Sequence, residues 1–461
     1  MSKKLWLTLG VIVVVALAVW GTSRNKTNEP AKQSSRDKIV VVINNGPKET
    51  DTIAVKNLKN DIAEFNKVYP DIEIKWTDRP YSPDGFSTSM AGGTAEDVIT
   101  LWATEGYVAE RGYALDLTEM INNWEYKGQL NLSMLEPFER DGHYYALPLN
   151  GYIIGMWYNK KLFQEAGLVE GKDNYVIPEN WEEFAQTAQK LTDKQKNISG
   201  YGIYGKDTYG GWGLLNWVWQ AGGDFEKKVG GKWRATFGEP EAVKAMEFVQ
   251  DLRWKYDCLQ PNLMLAPQDV WPLFASGQIA MTNGTNDWTP TLVNQHGMKL
   301  DQIGMALLPA GPAGRANQLG GDYYIINPNS PKEVQEAAFK WITWMMLKNV
   351  SPEFIKRKGE QYRQEGRVDK ISSIPVFTGE LDQKMRQTAQ EYKDVLVDFP
   401  DVWVEASKYI HSEPPFFAQQ LYGEYLSPIL QSVLTKKKAN PKQLMQQAAK
   451  SFEERFLTQV R

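Results

Sequence analysis

Short apolar runs and longer stretches of helical spacing alternate along the chain. Ile39 to Ile43 is an unbroken β-branched run, the pattern of a strand covered on both faces, and Ile53 to Val68 then repeats apolar positions at helical intervals up to Pro70. Ile72 to Trp76 and Val98 to Trp102 read as further strands, so the alternation predicts an α/β protein with a mostly parallel sheet. In the second half, Gly200 to Tyr204 reads as a short strand and Trp212 to Trp219 as an aromatic-rich helix stopped by Gly222 and Gly223. Gly320 to Ile326 is followed by a turn and an amphipathic helix with Glu333 and Glu336 near its start. For its two glycines, a bulge or tight turn is the local reading. Asn180 sits where it can cap a helix, with Glu183 placed to reach back.

The N-terminus departs from this pattern. Lys3 and Lys4 precede an apolar stretch from Leu5 to Trp20 and a polar run from Thr22 to Arg36, which together predict an export segment. Ala16-Leu17-Ala18 offers a small-x-small cleavage site, while the apolar stretch falls short of the roughly 20 residues of a comfortable span. Cleaved signal and retained anchor both stay open.

Composition narrows the function. A length of 461 residues suggests two to three domains, and a net charge of -4 without a basic face argues against nucleic acid as a partner. Cys258 is the single cysteine, so no intrachain disulfide exists, and three histidines are too few and scattered for a metal site or a triad. Neither a metal nor another cofactor is expected. Seventeen Trp and 21 Tyr suit a surface for a polar ligand with apolar faces, although packing accounts for about half of such rings.

Three stretches carry a family resemblance: Asp141 to Pro148 (DGHYYALP), Asn150 to Leu168 (NGYIIGMWYNKKLFQEAGL) and Pro178 to Phe184 (PENWEEF). Together they resemble the family 1 extracellular solute-binding proteins, the maltose-binding-protein-like subunits that capture substrate for bacterial sugar-uptake ABC transporters. Gly92 to Val98 and Phe274 to Met281 (FASGQIAM) are similar to further family elements. Met156 and Trp157 depart from the aliphatic, Phe or Tyr residues usual before Tyr158-Asn159, and Ile279 replaces an alanine. In Thr282 to Trp288, Asn286 holds the place of the family's stacking tryptophan and Trp288 lies two residues further on.

The resemblance implies a two-lobed, hinged periplasmic-binding-protein-like α/β fold (type II) joined by crossing strands near Pro148 to Gly151, Leu319 to Asp322 and Ser372 to Pro375. Residues 37–150 and 321–372 are then expected to form the first lobe, residues 151–320 and 373–461 the second, after an export segment and linker over residues 1–36. It further implies an exported monomer, released or anchored, that binds a mono- or oligosaccharide without chemistry and delivers it to membrane permease subunits of an ABC importer. Relatives that keep a lipid-bearing cysteine after the apolar stretch differ here, where AVWGTS has none. Candidate ligand contacts are Asn44, Asn45, Trp102 and Glu105 from the first lobe. From the second lobe and the crossings come Tyr152, Trp212, Asn286, Asp287, Trp288, Gly321 and Asp322, with Trp403 as an outside candidate. A secreted glycoside hydrolase and a binder of a peptide or polyamine are the rival readings; the first needs a specific carboxylate pair, which no local motif selects.

Overall fold

In the computed structural model, which describes residues 38–460, the chain builds two principal sheets. The first runs Ile72–Trp76, Ile39–Ile43, Val98–Trp102, Asn317–Ile326 and Ile410–Ser412, with Leu147–Ile153 also pairing to Asn317–Ile326. The second runs Ser199–Gly202, Ile279–Gly284, Gly155–Asn159 and Ile303–Ala306. The expected export segment lies outside the described residues; among those residues no helix is long and apolar enough to cross a membrane.

Both sheets are mixed: three of the five strand pairings in the first are parallel, as the apolar runs predict, whereas two of the three in the second are antiparallel. Ile39–Ile43 is parallel to both its neighbours. Asn317–Ile326, however, is antiparallel to Val98–Trp102 and Leu147–Ile153, and Gly155–Asn159 is antiparallel to both of its partners. An apolar run carries no sign of direction, and strands that arrive from a distant part of the chain need not follow a β-α-β crossover. Burial differs too: in Ile39–Ile43 only Val41 is fully covered.

Helices pack on these sheets through aromatic residues. Phe65, fully buried on Thr52–Val68, meets Trp341 of Lys332–Val350 edge-on at 5.1 Å. Beside the second sheet, Phe184 of Trp181–Leu191 packs against Trp217 of Leu215–Gln220 at 5.4 Å. Asn180 caps its helix as the sequence predicts: its Oδ1 accepts from the Glu183 N–H at 3.0 Å, while Glu183 accepts from the Glu179 N–H at 2.9 Å. Asn159 likewise caps Lys160–Glu165 through the Leu162 N–H.

The expected helix from Trp212 to Trp219 is broken. One helix spans Asp207–Trp212 and the next Leu215–Gln220, with Gly213 between them. Gly211 lies against the Tyr422 backbone, where a Cβ would come within 2.5 Å, so the first segment docks by backbone contact. The break leaves Trp212 partly exposed and buries Trp217 and Trp219. Cys258 is buried, as its apolar surroundings predict.

Three distant segments meet at Gly151. Asn150 and Gly151 pair with Asp322 and Gly321, Gly151 also bridges to Ile374, and the Ser372 hydroxyl donates to the Gly151 carbonyl at 2.7 Å. A Cβ on Gly321 would stand 2.3 Å from the Asn150 carbonyl oxygen, so the crossing strands touch only because no side chain intervenes. The register also shifts between Asp322 and Tyr323, which agrees with the bulge reading of this glycine pair.

Candidate ligand-binding cleft

The end of the Val98–Trp102 strand supplies the first part of the site. Trp102 is 40% exposed, and the Tyr81 ring stands edge-on to it at 5.3 Å. The Tyr81 hydroxyl donates to Glu105 Oε2 at 2.7 Å, and Thr104 Oγ1 donates to Oε1 at 3.0 Å. Burial raises the Glu105 carboxyl above its ordinary value, against the hydrogen bonds of Tyr81, Thr104 and Tyr107. Glu105 opens on a cavity of about 500 Å³, bounded by Asp84, Tyr107 and Arg111 on one side and by Phe416, Phe417 and Gln420 on the other. Its size falls in the ordinary range of small-molecule sites.

A second group of rings belongs to the Trp212 helix and the loop after Ile279–Gly284. Trp212 and Trp288 lie 5.7 Å apart, Trp271 is 5.1 Å from Trp288, and Tyr204 and Trp157 touch Trp288 edge-on. Trp288 is therefore held on several sides, while Trp212 is braced by Tyr209 at 6.5 Å. The Tyr204 hydroxyl donates to the Asn283 carbonyl, fixing the floor beneath these rings.

Acids connect the two groups. Asp322 stands opposite Trp102 in register and accepts from Asn150 Nδ2 at 2.9 Å. Asp287 pairs with Lys370 at 3.1 Å, and burial raises its carboxyl despite that cation. Tyr152 crosses Gly320, where a Cβ would meet its ring. Burial raises the Tyr152 phenol well above its usual value, and the nearby charges of Glu413, Asp322 and Asp287 push it the same way. Trp102, Glu105, Tyr152, Trp212, Asp287, Trp288 and Asp322 thus fall into two neighbouring clusters linked by these acids.

Glu413 is the residue that sequence reasoning missed. It accepts from Tyr422 at 2.6 Å and Gln318 Nε2 at 2.7 Å, with a further contact from the Trp212 indole. Burial pushes its carboxyl up to about 7, these hydrogen bonds oppose the shift, and the charge of Glu105 adds to it. Its setting, His411-Ser412-Glu413-Pro414-Pro415, matches no motif; only the pairing of Ile410–Ser412 with Asn317–Ile326 brings it to Gln318.

The remaining candidates behave differently. The Asn44 side chain accepts from the Thr100 N–H at 2.7 Å and donates to the Thr100 carbonyl at 3.3 Å, tying two strands. Asn286 is fully buried, and its amide donates to the Ile371 and Val397 carbonyls. Of these two candidates Asn44 is engaged at both polar atoms by backbone groups, whereas Asn286 engages only its amide and leaves its Oδ1 without a partner. Asn45 is exposed in a left-handed turn, Gly321 serves strand contact, and Trp403 is buried against Gly155. Among the described residues no cluster of His, Cys, Asp or Glu could hold a metal ion.

Two clusters of rings with buried acids between them suit the binding of a polar ligand with apolar faces, and comparison gives the family. Residues 50–348 match the bacterial extracellular solute-binding protein family, and the chain belongs to that family. It is 29% identical over 281 residues to a candidate binding protein of Brucella abortus, an alignment covering 59% of this chain and 64% of that relative. The chain thus spans less than two thirds of that relative's length. It is 24% identical over 402 residues to the multiple sugar-binding protein of Streptococcus mutans, covering 82% of this chain and 86% of the relative. Among solved structures, an ABC transporter solute-binding protein from Thermotoga lettingae bound with alpha-D-tagatose superposes with a TM-score of 0.66 at 22% identity, covering 91% of this chain and 99% of that one. The ABC substrate-binding protein from Listeria monocytogenes in complex with cycloalternan gives 0.68 at 20% identity with the same coverage. These likenesses establish the fold as the two-lobed solute-binding architecture.

Proposed function

We propose that the protein captures a mono- or oligosaccharide between its lobes and presents it to the permease subunits of an ABC importer, without chemical change. The observation that carries this reading is the union of partly exposed rings, Trp102 and Trp212, with the buried acceptors Glu105 and Glu413. Rings cover the C–H faces of a sugar and carboxylates accept from its hydroxyls. The streptococcal relative's sugar-binding name supports the same class.

We take residues 37–150 with 321–372 as one lobe and residues 151–320 with 373–461 as the other, hinged where Gly151, Gly321 and Ile374 meet. A ligand drives closure only through contacts that the open form lacks. The protein acts outside the cytoplasmic membrane as a monomer, released or tethered by its N-terminal segment.

The test is a thermal-shift panel of carbohydrates, peptides and amines on the purified protein, with chromatography of the sugar afterwards. At about 100 times the dissociation constant, a ligand adds roughly 2.7 kcal/mol of stability. A stabilising sugar recovered intact is expected. Stabilisation by a peptide alone, or recovery of cleaved sugar, overturns the proposal.

A further inference from the structure

Among the described residues no cation pairs with Glu105, which lines the cavity, or with Glu413, which is buried against Gln318, Tyr422 and Trp212. Elsewhere buried acids are commonly neutralised: Glu96 faces Arg79 at 3.4 Å, Asp287 faces Lys370, and Asp398 faces Arg386 at 2.7 Å. Glu226, the other buried glutamate without a cation among the described residues, accepts from the Phe416 N–H behind the cavity wall. Every group that hydrogen-bonds to Glu105 or Glu413 is neutral: Tyr81, Thr104 and Tyr107 for the first, Tyr422, Gln318 and Trp212 for the second. Arg111, the single cation among the cavity-lining residues, is exposed and adjoins Glu110. A neutral ligand closing this cleft would leave both acids without a counter-charge, whereas a cation would favour the ionised form of each.

A second observation lies beside Glu413. Gln318 is fully buried and gives its Nε2 to Glu413, yet its Oε1 has no donor. A free amide oxygen and a carboxylate thus stand side by side, next to the Trp212 ring and the Tyr152 phenol. A hydroxyl brings one donor to such a place, whereas an ammonium brings three donors and a charge that both the carboxylate and a ring face attract.

We propose that the cleft selects a carbohydrate bearing a protonated amine, with the ammonium seated between Glu413, Gln318 and Trp212 and within the field of Glu105. This rests on the sugar-binding reading of the cleft and narrows it to amino sugars.

Calorimetric titration of the full chain with matched pairs tests it: D-glucosamine against D-glucose, D-galactosamine against D-galactose, and the glucosamine disaccharide against cellobiose. In at least one pair the amine member should bind about tenfold tighter or more, because charge-assisted bonds are roughly twice as strong as neutral ones. In Glu413→Gln that ratio should collapse to within about threefold, after a melting curve confirms folding. The wild-type pairs decide the matter even should the variant not fold. If neutral members bind as well as or better than their amine partners, this inference fails while the sugar reading stands. If no sugar binds, or spermidine alone binds, both fail.

Discussion

Glu413 makes the stability of this protein depend on pH in a calculable direction. Its carboxyl titrates at about 7 in the folded chain instead of 4.5, chiefly because burial penalises the charge. Below about pH 4.5 both folded and unfolded chains hold the proton, and the full stability is present. Between 4.5 and 7 the unfolded chain gives up its proton first, so stability falls as the pH rises, and above 7 the loss is complete. At about 1.4 kcal/mol per pH unit the loss comes to about 3 kcal/mol. Asp398, held at about 6 by burial against the pull of Arg386, and the raised carboxyls of Glu105, Glu226 and Asp287 act with the same sign. The Tyr152 and Tyr422 phenols beside Glu413 stay protonated throughout.

The perturbation that isolates the effect is Glu413→Gln. Its carbonyl can still accept from Tyr422, and its new amide can donate to the free Oε1 of Gln318 after that amide turns over. Hydrogen bonding then changes by only about 1 kcal/mol. The variant should match the parent near pH 4.5 and exceed it by about 2 to 3 kcal/mol at pH 8. With an unfolding entropy of about 0.9 kcal/mol/K for a chain of this size, that is about 3 °C in melting temperature. Melting curves of both proteins from pH 4.5 to 8.5 are the assay. Parallel profiles would refute the assignment of a buried, uncompensated acid to Glu413.

Other outcomes follow from single contacts. Trp212→Ala should weaken sugar binding by about 1 to 3 kcal/mol with the fold intact, and Trp288→Ala by a similar amount plus a stability loss, since four rings lean on it; calorimetric affinities within twofold of the parent for both would make these rings purely structural. Gly321→Ala should cost about 1 to 3 kcal/mol in urea unfolding, because its Cβ meets a backbone oxygen that cannot retreat without parting the strands. An unchanged midpoint would show that the crossing has slack. Cys258, its thiol pushed up to about 12 by burial, should resist a thiol reagent until the chain unfolds; rapid labelling of the native protein would contradict its placement.

What the sequence revealed, and what it hid, follows from the range of each interaction. Asn180 with Glu183, the strand Ile39–Ile43 and the helix Thr52–Val68 were legible because their determinants lie within a few residues. Trp102 and Trp212 could be named as ring candidates from their places at element ends. Strand direction was legible only in part: Ile39–Ile43 runs parallel to its neighbours as expected, whereas Tyr323 to Ile326 reads the same whether it runs with or against Val98–Trp102. Asn44 and Asn286 show a related ambiguity, since an asparagine beside a strand end serves a ligand hydroxyl and a backbone carbonyl equally well, and only tertiary structure puts Ile371 and Val397 within reach of Asn286. Glu413 is the strongest case, because its neighbours in space, Gln318 and Trp212, lie far off in sequence.

The same distribution bears on function. Asn44 is bonded to both backbone groups of Thr100, whereas Glu105, Glu413 and Gln318 are brought together from three parts of the chain and left short of donors or of charge. Folding alone gains nothing from such an arrangement, since a buried acid without a cation and an amide oxygen without a donor each cost stability. A ligand able to supply both donors and charge would recover that cost on binding, so the unmet demands of the cleft favour closure around it. The cleft is thus least satisfied where the ligand is expected to sit, and the affinity for a matched sugar should draw on the instability that Glu413→Gln would remove.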